Sequence, residues 1–184
     1  MTLTSVSAGG GNNVTTSSNV QMLSVSHNNV SEVAPTALRG LKALLHLRLD
    51  NNRLGRLPAA MFADTPSLGA LSLADNRHLD VGTLAAALTP TRLALLRLLD
   101  LSGVDPVAAD GRLPEAVFSQ LPALQQLVLG DLNVANMSGE FFAALCPGTS
   151  CSSCGLSTLD LSGSSIGEVG RSRSIYSSLF TRFS

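Results

Sequence analysis

The sequence predicts an α/β solenoid, in which short and similar coils stack side by side and share one continuous core. The first observation is the stretch 44–62, where Leu47 and Leu49 alternate with polar residues as in a short strand. The alternation ends at Asn51 and Asn52, a pair that favours a turn. Such a unit has one apolar edge and cannot bury it alone, so it requires copies of itself.

The second observation is that copies of this unit recur along the chain. Each copy begins Leu-x-x-Leu-x-Leu, or the same pattern with Val, and three copies continue with Asn at the ninth position. The copies begin at Val20, Leu44, Leu68, Leu96, Leu124 and Leu156, at intervals of 24, 24, 28, 28 and 32 residues. The segment Leu57-Pro58-x-x-x-Phe62 recurs as Leu113-Pro114-x-x-x-Phe118. Six copies in register predict six rungs of one stack.

The third observation is the composition. The 184 residues suffice for one domain, and they are 45% apolar but only 4% aromatic, with no Trp. A core rich in Leu and poor in rings suits thin stacked layers. The formal charge of −1 gives no electrostatic footprint for nucleic acid or for an anionic membrane. No apolar run approaches the roughly 18 residues that a membrane span needs, so we expect no nucleic-acid partner and no membrane span in this chain.

These repeats resemble the leucine-rich repeat family in its extracellular "typical" form, over about residues 3 to 167. The resemblance implies a curved right-handed coil with a parallel β-sheet on its concave face and irregular or short helical segments on its convex side. We expect a cap remnant or flexible leader over 1–19, the leucine-rich repeat domain over 20–167 and an off-pattern tail over 168–184. The segment 84–88 (LAAAL) favours a helical turn on the convex side.

Three asparagines fall at the same position of three successive coils: Asn28, Asn52 and Asn76. A buried side-chain amide there can satisfy backbone groups that the turn leaves without ladder partners. We therefore predict a structural ladder of stacked asparagines. Val104 and Leu132 occupy the same position in the next two coils, which weakens the ladder there.

The strand residues that flank the buried leucines point to the concave side, where we expect a ligand to bind. The candidate ligand-binding residues are Ser24, Arg48, Asp50, Ser72, Asp100, Val128 and Asp160. They are mostly small or polar and mixed in charge, and they include no aromatic hot spot. The alternative interpretation of the same residues is a solvated sheet face without a ligand.

The sequence predicts no enzyme. Asp100 and Asp160 would stand about 10 Å apart, near the spacing of glycosidase carboxylates, but the pattern forms no pocket around them. There is no Ser-His-Asp clustering and no Gly-rich phosphate site. We therefore predict no catalytic residues, no cofactor and no metal.

All three cysteines, Cys146, Cys151 and Cys154, fall in about eight residues inserted into the fifth repeat. The Cys-x-x-Cys pair alone could indicate a redox site or half a zinc site, but no second pair exists and the three histidines lie in distant repeats. If the chain is secreted, we expect a loop disulfide between Cys146 and either Cys151 or Cys154, with one thiol left over.

Lengthened repeats with a cysteine-bearing insertion resemble Toll-like receptors and their relatives. That resemblance implies an extracellular or cell-surface receptor for innate immune recognition, which binds a protein or another macromolecular ligand on its concave or lateral surface. The first residues contain no basic n-region and no apolar h-region, so this hypothesis expects a fragment whose true start lies upstream. It also expects possible self-association through uncapped ends. The alternative is a cytoplasmic leucine-rich repeat scaffold or regulatory subunit, which needs no missing sequence.

Three sequons distinguish these two hypotheses: Asn13, Asn29 and Asn136 are glycan acceptors only in a secretory compartment. Under the receptor hypothesis, the chain expressed in secretory cells should migrate faster on a gel after glycosidase treatment. Mutation of Asn29 or Asn136 to Gln should remove part of that shift. The absence of any shift, together with three free thiols by mass spectrometry, would favour the intracellular scaffold.

Overall fold

The structure is a computed structural model, and it describes residues 2–3, 19–104, 115–137, 141, 145 and 155–169. The predicted disulfide cysteines Cys146, Cys151 and Cys154 and the sequon residue Asn13 lie outside the described residues.

Short parallel strands dominate the described part of the chain. Its strands are β1 (Thr2–Leu3), β2 (Met22–Ser24), β3 (Glu32–Val33), β4 (His46–Arg48), β5 (Ala70–Ser72), β6 (Leu98–Asp100), β7 (Gln126–Val128), β8 (Asn133–Met137), β9 (Thr158–Asp160) and β10 (Ser165–Val169). Its helical segments are a 3-10 turn (Val81–Thr83), α1 (Leu84–Ala87) and α2 (Glu115–Phe118). The short helix α1 lies where the Ala-rich segment predicted a helical turn.

One strand from each coil joins a six-stranded parallel sheet in the order β2-β4-β5-β6-β7-β9. Two smaller parallel pairs, β1 with β3 and β8 with β10, lie in the segments outside this sheet. In the main sheet the same leucine of every coil faces the same leucine of the next. The successive partners are Leu23, Leu47, Leu71, Leu99, Leu127 and Leu159. The predicted stack of rungs, and with it the solenoid, is confirmed.

The core lies between the main sheet and the convex side, and buried leucines from every coil fill it. Phe62 and Phe118, the last residues of the two Leu-Pro-x-x-x-Phe segments in the sequence, are both buried in this core. Phe118 packs edge to face against Phe141, with ring centroids 5.5 Å apart and an interplanar angle of 80°. Repeated positions in the sequence thus become repeated layers of one core.

Every coil turns away from its strand through one residue with a left-handed backbone. These residues are His27, Asn51, Asp75, Gly103, Asp131 and Gly163, with φ between 54° and 69°. Asn, Asp and His tolerate this conformation better than other side chains, and Gly adopts it without strain. The turn packs closely, because a Cβ added at Gly103 would stand 2.5 Å from a carboxylate oxygen of Asp75 on the preceding coil.

Asn52 joins the first two coils by hydrogen bonds from a buried position. Its Oδ1 accepts from the Val30 N–H at 3.0 Å, and its Nδ2 donates to the Val25 carbonyl of the preceding coil at 2.9 Å. The same Nδ2 also donates to the Leu49 carbonyl of its own coil at 2.9 Å. One amide therefore satisfies backbone groups of two coils.

Asn76 repeats this arrangement one coil later and is fully buried. Its Oδ1 accepts from the Leu54 N–H at 3.0 Å. Its Nδ2 donates to the Leu49 carbonyl at 3.0 Å and to the Leu73 carbonyl at 2.8 Å. The Leu49 carbonyl thus receives donors from both asparagines.

Asn28 differs from the prediction because it is exposed. Its Nδ2 donates to the Val25 and Ser26 carbonyls at 3.0 and 2.9 Å, both within its own turn. No complete coil precedes it in the described part of the chain, so no neighbouring turn covers its amide there. Asn28 therefore holds its own turn but joins no two described coils.

Beyond Asn76 the ladder position changes its chemistry. Val104 and Leu132 are buried there as apolar side chains. In the sixth coil the hydroxyl of Ser164 accepts from the Leu132 N–H at 3.1 Å and donates to the Leu129 carbonyl at 2.7 Å. A shorter polar side chain thus restores a bond between coils where the amide is absent.

We expect Asn76→Ala to destabilise the protein by about 3 kcal/mol, because it leaves the buried Leu54 N–H and the buried Leu73 carbonyl without their side-chain partner, while the Leu49 carbonyl keeps Asn52. Asn28→Ala is the matched control and should cost less than about 1 kcal/mol, since the groups it bonds are exposed. The midpoint of urea unfolding, followed by circular dichroism, measures both. Equal losses in the two variants would contradict the assignment of the bonds between coils.

Candidate functional site

The concave surface of the sheet consists of three columns of side chains, one residue from each coil. The first column, at the start of each strand, is Met22, His46, Ala70, Leu98, Gln126 and Thr158. The second column, at the end of each strand, is Ser24, Arg48, Ser72, Asp100, Val128 and Asp160. The third column, two residues further on, is Ser26, Asp50, Ala74, Ser102, Gly130 and Ser162.

The structure brings six of the seven candidate ligand-binding residues together as the second column. Ser24 and Arg48 are exposed at its N-terminal end. The other four, Ser72, Asp100, Val128 and Asp160, are half-buried in the following coils. Adjacent members belong to paired strands, so they lie about 4.8 Å apart along the sheet.

Asp50 corrects the prediction of an exposed ligand-binding carboxylate, because only 4% of it is exposed. The Arg48 guanidinium covers it, with Nε 3.1 Å from Oδ1 and Nη2 3.3 Å from Oδ2. The Ser26 hydroxyl of the preceding coil donates to Oδ1 at 2.8 Å. Strand alternation predicts the side of the sheet on which Asp50 lies, but it does not predict that the long Arg48 side chain covers its carboxylate.

The ion pair between Arg48 and Asp50 keeps both groups charged. Burial by itself raises the pKa of Asp50, but the hydrogen bonds from Arg48 and Ser26 outweigh it, and the pKa lies below its ordinary value. The hydrogen bond to Asp50 raises the pKa of Arg48 in turn. His27 also approaches this carboxylate, with Nε2 4.0 Å from Oδ2. The positive charge on the second column is therefore already neutralised within the protein.

Asp100 and Asp160 occur in identical segments, LDLSG at 99–103 and 159–163, and make the same turn. Oδ1 of Asp100 accepts from the Ser102 N–H at 3.0 Å and from the Ser102 hydroxyl at 2.7 Å. Oδ1 of Asp160 accepts from the Ser162 N–H at 2.9 Å. This backbone hydrogen bond, together with the Ser162 side chain, lowers the pKa of Asp160. In both carboxylates one oxygen is held in place, and the second accepts no hydrogen bond from the described residues.

The first column completes the surface, and the sequence reasoning missed it. Met22 is 62% exposed, and with Ala70 and Leu98 it forms an apolar floor. This concave depression has a volume of about 260 Å³, and His46, Arg48 and Asp100 are among the residues that line it. Strand alternation could have identified this column. The first and third residues of each strand flank the same buried leucine, so both point to the concave side.

The other predicted sites are distributed over the described residues as follows. Asn29 is exposed in the turn that follows the first strand of the main sheet, and Asn136 lies in β8. Among the described residues, no group of three or more His, Cys, Asp or Glu side chains could hold a metal ion. No helix in that part of the chain has the length and hydropathy of a membrane span.

The family model described as "Leucine rich repeat" matches residues 18–77, which include the first two coils with their asparagines. Residues 18–77 thus contain leucine-rich repeats of this family. The chain is 32% identical to mouse "Transforming growth factor beta activator LRRC32" over 123 residues, which are 67% of this chain and 18% of that protein. It is 36% identical to rat "Tsukushi" over 112 residues, which are 60% of this chain and 30% of that protein. The chain thus spans less than a third of either relative.

Solved structures of leucine-rich repeat proteins share the solenoid. The TLR13–ssRNA13 complex matches with a TM-score of 0.65 and 24% identity, over 82% of this chain and 19% of that chain. The mouse RP105/MD-1 complex matches with a TM-score of 0.58 and 26% identity, over 85% of this chain and 24% of that chain. These relatives are non-enzymatic binding proteins, in agreement with the prediction that the chain is not an enzyme.

The lowered pKa of Asp50 predicts a stability that depends on pH. Ionised Asp50 stabilises the folded protein above its ordinary pKa of 3.8, and this contribution is lost as the pH falls through the lower folded value. Asp50→Asn should therefore destabilise the protein at neutral pH, and this loss should shrink progressively as the pH is lowered below 3.8, measured by urea unfolding at a series of pH values. Arg48→Met should shrink the same pH dependence, because it removes the strongest hydrogen bonds that lower the pKa. A loss in Asp50→Asn that stays the same size throughout the acid range would contradict the ion-pair assignment.

Proposed function

We propose that this chain is a recognition module of an extracellular or cell-surface leucine-rich repeat protein, and that it binds a protein ligand through its concave face. The observation that carries the proposal is the concave depression, where exposed Met22 and the half-buried Ala70 and Leu98 form an apolar floor beside charged residues. An apolar centre with a polar rim is the usual anatomy of a protein-binding surface.

The size of the surface favours a macromolecule over a small molecule. The depression of about 260 Å³ is open, and it falls below the usual range for a pocket that encloses a drug-sized ligand. The surrounding columns continue across six strands, roughly 25 Å in all. Only a partner with an extended surface can contact this whole face.

The relatives support an extracellular setting. LRRC32, Tsukushi and RP105 are extracellular or cell-surface proteins, LRRC32 is named as an activator of transforming growth factor beta, and RP105 is in complex with MD-1. The exposed sequon residue Asn29 fits the same setting. A role in innate immunity, which the resemblance to Toll-like receptors implies, is the finer form of this proposal.

The concave charges favour protein over nucleic acid. TLR13 is in complex with single-stranded RNA. In this chain the positive charge of Arg48 is offset by Asp50, to which it is hydrogen-bonded. Asp100 and Asp160 add two further negative charges to the columns. Because proteins bind phosphate backbones through positively charged surfaces, the charge of this face disfavours RNA binding.

The test is a binding screen of the secreted chain, made multivalent, against an array of extracellular proteins. Ala70→Arg fills the concave depression with a long charged side chain, so it should weaken every specific interaction at least about tenfold. Ala60→Arg introduces the same side chain at an exposed position outside the concave columns and should leave binding unchanged. Binding that survives Ala70→Arg, or that fails in Ala60→Arg, would refute the concave site.

A further inference from the structure

We propose that the concave ligand is a cationic protein segment, whose Lys or Arg side chains bind Asp100 and Asp160 while a large apolar side chain enters the concave depression. This inference rests on the proposed function and gives the chemical class of its partner.

The first step is the charge balance of the concave columns. Their charged residues are one cation, Arg48, and three carboxylates, Asp50, Asp100 and Asp160. Arg48 is committed to Asp50 through hydrogen bonds of 3.1 and 3.3 Å. Arg48 also interacts electrostatically with Asp100, but the three carboxylates outnumber this one cation, so the described columns have a net negative charge.

The second step is the preorganisation of the Asp100 and Asp160 carboxylates. Ser102 and Ser162 hold one oxygen of each in the same turn geometry, and the second oxygen accepts no hydrogen bond within the described part of the chain. The Asp100 carboxylate is part-buried, where charge-assisted hydrogen bonds are stronger than in open solvent, and the Asp160 carboxylate is the more exposed of the two. A cation that binds here finds its acceptor already oriented.

The third step is the spacing. Asp100 lies in β6 and Asp160 in β9, with Val128 of β7 between them in the same column. Two strand spacings separate the carboxylates by about 10 Å, which is too far for one cation to bridge them. The arrangement therefore fits two cationic groups on either side of an apolar contact with Val128.

The fourth step links these charges to the concave depression. Asp100 lines the depression together with Met22, Ala70 and Leu98. A cation on Asp100 therefore brings its neighbouring side chains directly over the apolar floor. The partner must offer a large apolar group beside its positive charge.

The charge distribution of the chain points the same way. Residues 100–170 contain one Lys or Arg and eight Asp or Glu, while residues 20–99 contain eight and five. The segment that includes Asp100 and Asp160 thus has a net charge of −7, against +3 for the preceding coils. A field of this sign accelerates the approach of cationic partners and repels acidic ones.

The experiment selects peptides from a phage-displayed random library on the immobilised full chain. We expect the enriched peptides to pair Lys or Arg with a large apolar residue. Asp100→Asn and Asp160→Asn retain the side-chain oxygen that accepts the hydrogen bond of the turn. Each should weaken the affinity for the consensus peptide about tenfold. Glu32→Gln is the matched control, because it removes an exposed carboxylate of β3 outside the concave columns, and it should leave the affinity unchanged.

Three outcomes overturn the inference. Enriched peptides could be acidic or uncharged, or they could bind the two Asn variants as tightly as the Glu32→Gln control. Alternatively, a labelled single-stranded RNA could compete with them for the wild-type protein. Ala70→Arg separates this inference from the proposed function. If it abolishes peptide binding while both Asn variants bind normally, only the cationic partner is refuted. If it has no effect, the concave site itself is refuted.

Discussion

The structure depends on one constraint: no coil contains enough apolar side chains to bury its own strand, so every core residue lies against a neighbouring coil. The paired leucines from Leu23 to Leu159 meet this constraint along the sheet. A second constraint is that backbone groups turned into the core need hydrogen-bond partners there, and the side-chain amides of Asn52 and Asn76 supply them. Both requirements fix the separation and register of the coils, and the concave columns are a consequence of that register.

The sequence predicted the parts of the fold that follow from spacing alone. The interval from Leu47 to Leu71 is the repeat length, so the two residues had to become neighbours once copies stacked. The same logic placed the second column. Spacing did not predict that Asn28 is exposed and Asp50 is buried. The exposure of both depends on which neighbouring groups cover them rather than on their position in the repeat.

The concave site was only partly predictable for the same reason. Alternation says which side of the sheet a residue occupies, and it applied equally to Met22, Ala70 and Leu98. Their joint contribution to a depression depends on the shapes of side chains from four coils, which no single repeat encodes. The contact between Arg48 and Asp50 also depends on the rotamer of the Arg48 side chain rather than on the repeat pattern.

The unequal lengths of the coils have a consequence for how such a surface can change. Coils beginning at Leu68 and Leu124 are followed by the next after 28 and 32 residues, yet β5, β6, β7 and β9 stay in unbroken register. Extra residues are therefore accommodated away from the sheet. Insertions in the loops between the strands and substitutions in the concave columns can therefore accumulate independently. During evolution the loops can lengthen without any change in the concave surface.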